Sequence, residues 1–267
     1  MNRRLSGLFG RSGGRPRFLP YVCVGYPTFA LSLRTARAAL DAGADGLELG
    51  VPFSDPIADG STLQKATHVA LGRGTKVADV FRLLRALRKA GYHQPLLVMT
   101  YLNPIEQMGW SRFASTLKEA GGDGVIVPDL PAEAMGSPMG LLRQHGLGLV
   151  PFLSPTSDRT RERRVDSMAA PFLYYVSVTG VTGARKGLGG ELLPRLRALR
   201  GRLRTPIVVG FGISTPRQAT LVGREAGGVI IASALIDRIS RVGPRELAGV
   251  VGGFCRSVAR ALAAHRT

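Results

Sequence analysis

An acidic residue stands alone in an apolar run at residues 47 to 50, where Glu48 sits between Leu47 and Leu49. If the run is a strand, alternation turns Glu48 to the same side as Gly46 and Gly50, which in a closed sheet is the interior or its mouth. Burying a carboxylate there is unfavourable, and desolvation lifts its pKa into the range of a general acid or base. An arginine holding Glu48 in a structural ion pair accounts for the same pattern equally well. Asp55 and Asp59 follow in a segment punctuated by Pro52, Pro56 and Gly60, too long for a tight turn. Such segments serve as lids or binding elements, although a lone aspartate in one is also the ordinary turn or cap residue.

Three later segments are rich in glycine or small residues: TGVTGARKGLGG at 179 to 190, GFGIST at 210 to 215 and ASALI at 232 to 236. Backbone N–H groups at a helix start bind phosphate without needing a lysine, so these segments point to a phosphorylated small substrate. The run Ser214-Thr215-Pro216 also reads as the cap and first turn of a helix, which leaves the two glycines flanking Phe211 unexplained. Tyr101 and Tyr174 are either core aromatics or walls facing a planar substrate. The four histidines, His68, His93, His145 and His265, stand at no metal-ligand spacing with one another or with Cys23 and Cys255, so no metal is expected.

These residues need a scaffold, and a recurring junction supplies its outline. A helix-like segment ends at Ala-Gly and an apolar strand follows at once, in DAGADGLELG (41 to 50), KAGYHQPLLVM (89 to 99), EAGGDGVIVPD (119 to 129) and EAGGVIIASA (225 to 234). Glycine relieves the left-handed helix cap, and the short β-rich run after it fits a buried parallel strand. The pattern predicts strands near 18–24, 45–50, 95–101, 124–128, 148–152, 172–177, 206–210 and 228–232. Helical periodicity fills the intervals, for example at 30–42, 77–90, 190–200, 215–225 and 245–264. Eight strands alternating with helices predict an α/β fold of the single (β/α)8, or TIM-barrel, class, whose chemistry lies on the loops after the strands. No G-x-G-x-x-G fingerprint follows the first strand and no P-loop occurs, which disfavours an open nucleotide-binding sheet.

The 267 residues, 45% of them hydrophobic, suit one such barrel at residues 18–267, preceded by a short basic segment at residues 1–17. Two cysteines make no disulfide framework, and a reducing cytoplasmic setting is expected. No apolar run reaches the length of a membrane helix; Phe18 to Leu33 is broken by Gly25-Tyr26-Pro27. Residues 1 to 17 carry five arginines and no acid, a composition shared with import sequences. The formal charge of +18 raises nucleic-acid binding as an option. Only Arg159 to Arg164 is dense, however, and no aromatic residues interleave there as a stacking platform would need, so a solvated arginine-rich surface is the simpler reading.

Four segments, LELGVPFSDPIADG (47 to 60), PDLP (128 to 131), GVTGAR (180 to 185) and GFGIS (210 to 214), closely resemble the tryptophan synthase alpha subunit in order and spacing. The resemblance extends from residue 18 to 240. It implies a retro-aldol cleavage of indole-3-glycerol phosphate into indole and glyceraldehyde 3-phosphate. Glu48 matches the family's proton-shuttling glutamate and Asp59 the aspartate facing the indole nitrogen. Tyr174 and Tyr101 match a supporting tyrosine and an indole-pocket wall, and Tyr21 lies on the pocket's first strand. Thr182 and Gly183 match the loop that closes over substrate, while Gly183, Phe211, Gly212, Ala232 and Ser233 fall in the phosphate cradle. Asp55, Pro56, Asn103 and Pro104 match positions facing a beta subunit, which would carry pyridoxal phosphate, while this chain would need no cofactor. An alpha-beta heterotetramer is the assembly implied.

The chain departs from the family pattern at several points. Ala232 replaces a glycine before the phosphate-site serine, Ser61 replaces a proline, and Tyr21 and Cys23 replace a common phenylalanine and threonine. The Gly- and Arg-rich residues 10 to 17 imply a shortened amino-terminal helix. Two alternatives accompany the main reading: a standalone lyase releasing free indole for secondary metabolism, and a non-catalytic barrel that activates a beta partner.

Overall fold

The computed structural model describes residues 3–9, 14–176, 190–210 and 212–264. Nine short strands run in parallel: β1 Arg17–Cys23, β2 Leu47–Gly50, β3 Leu96–Met99, β4 Gly124–Ile126, β5 Gly148–Val150, β6 Phe152–Leu153, β7 Leu173–Val176, β8 Ile207–Gly210 and β9 Gly228–Ile231. Their order in the sheet is β5-β4-β3-β2-β1-β9-β8-β7-β6. The two ends of that order, β5 and β6, are consecutive in the chain and separated only by Pro151. Proline has no N–H to donate to a ladder, which interrupts the run. The Pro151 carbonyl nevertheless accepts from Tyr174 N–H at 2.9 Å, so one stretch of chain pairs with β4 on one side and β7 on the other. The sheet thereby closes into the eight-staved barrel that the sequence pattern predicts.

Alternation divides each strand between two apolar layers. On β1, Phe18 and Val22 face the helices, while Leu19, Tyr21 and Cys23 face the barrel axis with Leu97, Met99, Ile126, Val150, Tyr174, Val208 and Ile230. The helices bury a single stripe. In Val77–Lys89 the buried residues are Val80, Phe81, Leu83, Leu84 and Leu87, at the spacing of one helical face. Three of the four predicted Ala-Gly junctions place glycine at positive φ, at Gly43, Gly91 and Gly121. The fourth, Gly227, is demanded by space instead: a Cβ there would lie 3.2 Å from the Pro206 side chain.

Most strands are shorter than the sequence suggests, and polar clasps hold strand starts to their neighbours. Asp45 and Asp123, just ahead of β2 and β4, repeat one arrangement. The Asp123 N–H donates to the Leu96 carbonyl while its carboxylate accepts from Leu96 N–H, and Asp45 does the same with Phe18. Asp123 is fully buried, with the guanidinium groups of Arg88 and Arg4 at 2.6 and 2.8 Å. At this end the short helix Arg3–Ser6 sends Leu5 into the barrel, toward Gly124 and Gly148, where added Cβ atoms would meet its side chain at 3.1 and 2.7 Å. Among the described residues no helix is long and apolar enough to cross a membrane. Leu5, 1% exposed, is a plug for the barrel's base. Leu5→Ala is expected to lower unfolding stability in urea by about 2 to 5 kcal/mol, and a change below about 1 kcal/mol contradicts the plug.

Candidate active site

Glu48 lies on β2 with Tyr21 of β1 and Leu97 of β3 as its lateral neighbours, all three turned toward the barrel axis. It is 3% exposed. Among the described residues no cation pairs with it, so none of their arginines holds Glu48 in an ion pair. Burial first, and the neighbouring Asp59 carboxylate second, push the Glu48 pKa up to about 8.

Asp59 reaches the same place from the loop between β2 and the helix Ser61–Gly72. Short turns fold that loop back on itself, with Ile57 N–H donating to the Asp55 carbonyl at 2.9 Å and Asp59 N–H to the Pro56 carbonyl at 3.0 Å. Gly60, not an aspartate, caps the helix. The Gln64 side-chain amide donates to the Asp59 carbonyl at 2.9 Å. Asp59 is therefore free of capping duty and 5% exposed. Burial lifts its pKa to about 6, and hydrogen bonding from Tyr101 opposes the rise.

Three tyrosines surround the pair. Tyr101, at the end of β3, accepts the Ala58 N–H on its hydroxyl at 3.0 Å and stacks on Phe53 with ring centres 5.2 Å apart. Tyr174 on β7 stacks on Phe152 at 4.8 Å. The Tyr21 hydroxyl crosses over Gly50 and that of Tyr174 over Gly210, so close that a Cβ at either glycine would lie about 2 Å from the phenol oxygen. Burial raises both phenols well above their usual range, and the two carboxylates add to the effect. Cys23, beside Tyr21 and Thr67, is pushed to about 12 by burial and stays a thiol. A neutral aromatic box thus encloses two carboxylates of unequal proton affinity.

The remaining predicted positions divide into groups. Gly212 follows β8 at φ +76, and Thr215 caps the next helix in a capping box with Gln218, which also takes the Ser214 N–H and hydroxyl. The capping reading of that run holds. Ala232 follows β9 as the N-cap of the helix Ser233–Ile239, at a negative φ of −111, and Ser233 begins that helix. Asp55 is exposed and accepts from the Ser54 hydroxyl, Pro56 adjoins the 75% exposed Ile57, and Asn103 and Pro104 form the first turn of the helix Leu102–Met108. Thr182, Gly183 and Phe211 lie outside the described residues. Sequence reasoning missed Phe53, Phe152, Gln64 and Thr67, whose types are unremarkable until the fold brings them to the mouth.

Clefts of about 480 and 290 Å³ elsewhere on the barrel are lined by Arg200, Arg204 and Glu225 and by Glu133, Asp158 and Arg161, with no buried carboxylate in either. Among the described residues no cluster of histidine, cysteine and acids could hold a metal.

Fold and site together define a (β/α)8-barrel with a pair of buried carboxylates at the mouth where barrel enzymes do their chemistry. Residues 10–252 match the family model described as tryptophan synthase alpha chain. The tryptophan synthase alpha chain of Chloroflexus aurantiacus is 42% identical over 253 residues, 95% of each chain. The crystal structure of the alpha subunit from Legionella pneumophila superposes with a TM-score of 0.85 at 32% identity, covering 99% of this chain and 100% of that one. A chain from a study of the tryptophan synthase α2β2 complex of Pyrococcus furiosus gives 0.84 at 32% identity over 92% and 98%. The chain belongs to the tryptophan synthase alpha chain family, lyases of tryptophan synthesis.

Because Glu48 holds its proton more tightly when folded than when unfolded, the native state loses stability as pH rises from about 4.5 through about 8. Glu48→Gln removes that penalty. Its gain over the parent in urea melts is expected to be near zero around pH 4 and on the order of a few kcal/mol around pH 9. An equal difference at both pH values contradicts the burial argument.

Proposed function

We propose that the chain cleaves indole-3-glycerol phosphate by a retro-aldol reaction, giving indole and glyceraldehyde 3-phosphate. The observation that carries this reading is the pair Glu48 and Asp59, buried in one mouth with pKa values near 8 and 6. At neutral pH Glu48 is mostly protonated and Asp59 mostly ionised, the states the reaction needs. Glu48 gives its proton to indole C3, and the positive charge that develops on the ring N–H is stabilised by the Asp59 carboxylate. Glu48, now a base, takes the proton of the glycerol hydroxyl next to the breaking bond. The C3–carbon bond then opens, its electron pair returns to the ring, and an aldehyde and neutral indole leave with Glu48 protonated again.

Tyr21, Tyr101 and Tyr174 wall the planar ring, and their neutral phenols exclude water. The phosphate sits against Gly212, Ala232 and Ser233; the cradle roles that the family resemblance gives Gly183 and Phe211, and the role at Asp59 that it gives Thr182, fall on residues outside those described. Ala232 has a negative φ, −111, so its backbone does not require the glycine that the family has there. Asp55 and Pro56 in the loop after β2, and Asn103 and Pro104 in the first turn of the helix after β3, sit at the same end of the barrel and suit a beta subunit, which would carry pyridoxal phosphate; a chain similar to this one comes from a study of an α2β2 complex.

Glu48→Gln and Asp59→Asn are each expected to cut indole release from indole-3-glycerol phosphate by about 10²- to 10⁴-fold, with the fold retained by circular dichroism. Addition of a beta subunit is expected to stimulate the parent. No indole from the parent, with or without that subunit, overturns the reading.

A further inference from the structure

Tyr101 occupies the N-cap of the helix Leu102–Met108 with extended backbone, φ −82 and ψ 164, yet makes no side-chain capping bond. A phenol turned into the barrel mouth does not serve its own helix, and Pro104 in the first turn has no N–H. The acceptor comes from another strand. Both carboxylate oxygens of Asp129 accept the Leu102 N–H, at 2.9 and 3.1 Å. Asp129 lies between Pro128 and Pro131 in the loop after β4, where the proline rings limit backbone freedom, and Leu130, 5% exposed, pins that loop to the outer core. On the far side of the same peptide, the Tyr101 hydroxyl takes the Ala58 N–H and has its own proton left to offer Asp59.

We infer that Asp129 is a positioning residue that holds Tyr101 against Asp59 through the Leu102 backbone, joining the loops after β2, β3 and β4 into one unit. The inference deepens the acid–base reading of Glu48 and Asp59 and rests on it for its catalytic consequence. Asp129 touches no reacting atom in this scheme. Loss of its carboxylate frees the first turn of Leu102–Met108, the ring of Tyr101 shifts on Phe53, and Asp59 loses the hydroxyl that stabilises its ionised form. The helix that moves also carries Asn103 and Pro104, so partner-facing and reacting residues are braced by one aspartate.

Among the described residues the groups facing Asp59 are Glu48 on β2, Tyr21 and Cys23 on β1, Tyr101 after β3 and Tyr174 on β7, and all but Tyr101 remain in place when only Asp129 is changed. The test follows the Asp59 carboxyl carbon by 13C NMR titration of the full chain. Asp129→Ala and Tyr101→Phe are each expected to raise the Asp59 midpoint, Asp129→Asn to leave it near the parent's, and the Asp129→Ala/Tyr101→Phe double variant to match Tyr101→Phe alone. If alanine prevents folding, Asp129→Ser, too short to reach Leu102, replaces it. In turnover of indole-3-glycerol phosphate, Asp129→Ala is expected to lower kcat about 10- to 100-fold with KM little changed, again without adding to Tyr101→Phe. An unmoved Asp59 midpoint, or effects of the two substitutions that multiply, overturns the inference. A parent that releases no indole while its Asp59 midpoint still moves with Asp129→Ala sinks the lyase reading and leaves the positioning role standing.

Discussion

Two carboxylates share one dry barrel mouth, and among the described residues no cation stands between them. Desolvation raises both, and their mutual repulsion raises Glu48 further, while the Tyr101 hydroxyl holds Asp59 lower. The outcome is a split in proton affinity within a single site, which separates an acid from an anion at neutral pH. An arginine in that mouth would ionise both groups and erase the difference. The chain carries 31 arginines, yet those bonded to buried carboxylates sit elsewhere, at Asp123 in the barrel's base and at Glu162 on its flank.

That separation is a division of labour along the barrel axis. Stability is built at the base, where Asp45 and Asp123 clasp strand ends to their neighbours and Leu5 fills the axis. The proposed chemistry lies at the opposite end, where Gly50 and Gly210 lack side chains and the phenols of Tyr21 and Tyr174 lie across them. Two small residues thereby bring two of the three tyrosine rings to bear on two acids. The cost is a mouth in which any added methyl group at those glycines collides with a ring.

Much of this was legible in the residue pattern because period-2 alternation and helix punctuation are local. Glu48 could be assigned to the interior from Gly46 and Gly50 alone, and the Ala-Gly junctions marked the strands that follow them. What stayed illegible depends on contacts between distant residues. Whether Glu48 faces an arginine or another carboxylate depends on contacts such as that with Asp59, eleven positions on, and among the described residues no cation lies in reach. The break at Pro151 shows only when both its neighbours are seen to pair with opposite edges of the sheet. Asp129 reads in sequence as part of a turn between two prolines, and its bond to Leu102 spans 27 residues.

The central claim is that Glu48 and Asp59 differ in charge at neutral pH in the unliganded chain. Its most direct test is a 13C NMR titration of the two side-chain carboxyl carbons in the parent protein, each assigned by its loss in the Gln or Asn variant. The account expects a midpoint of about 8 for Glu48 and about 6 for Asp59. Two midpoints near the ordinary carboxylate value of about 4 would contradict it.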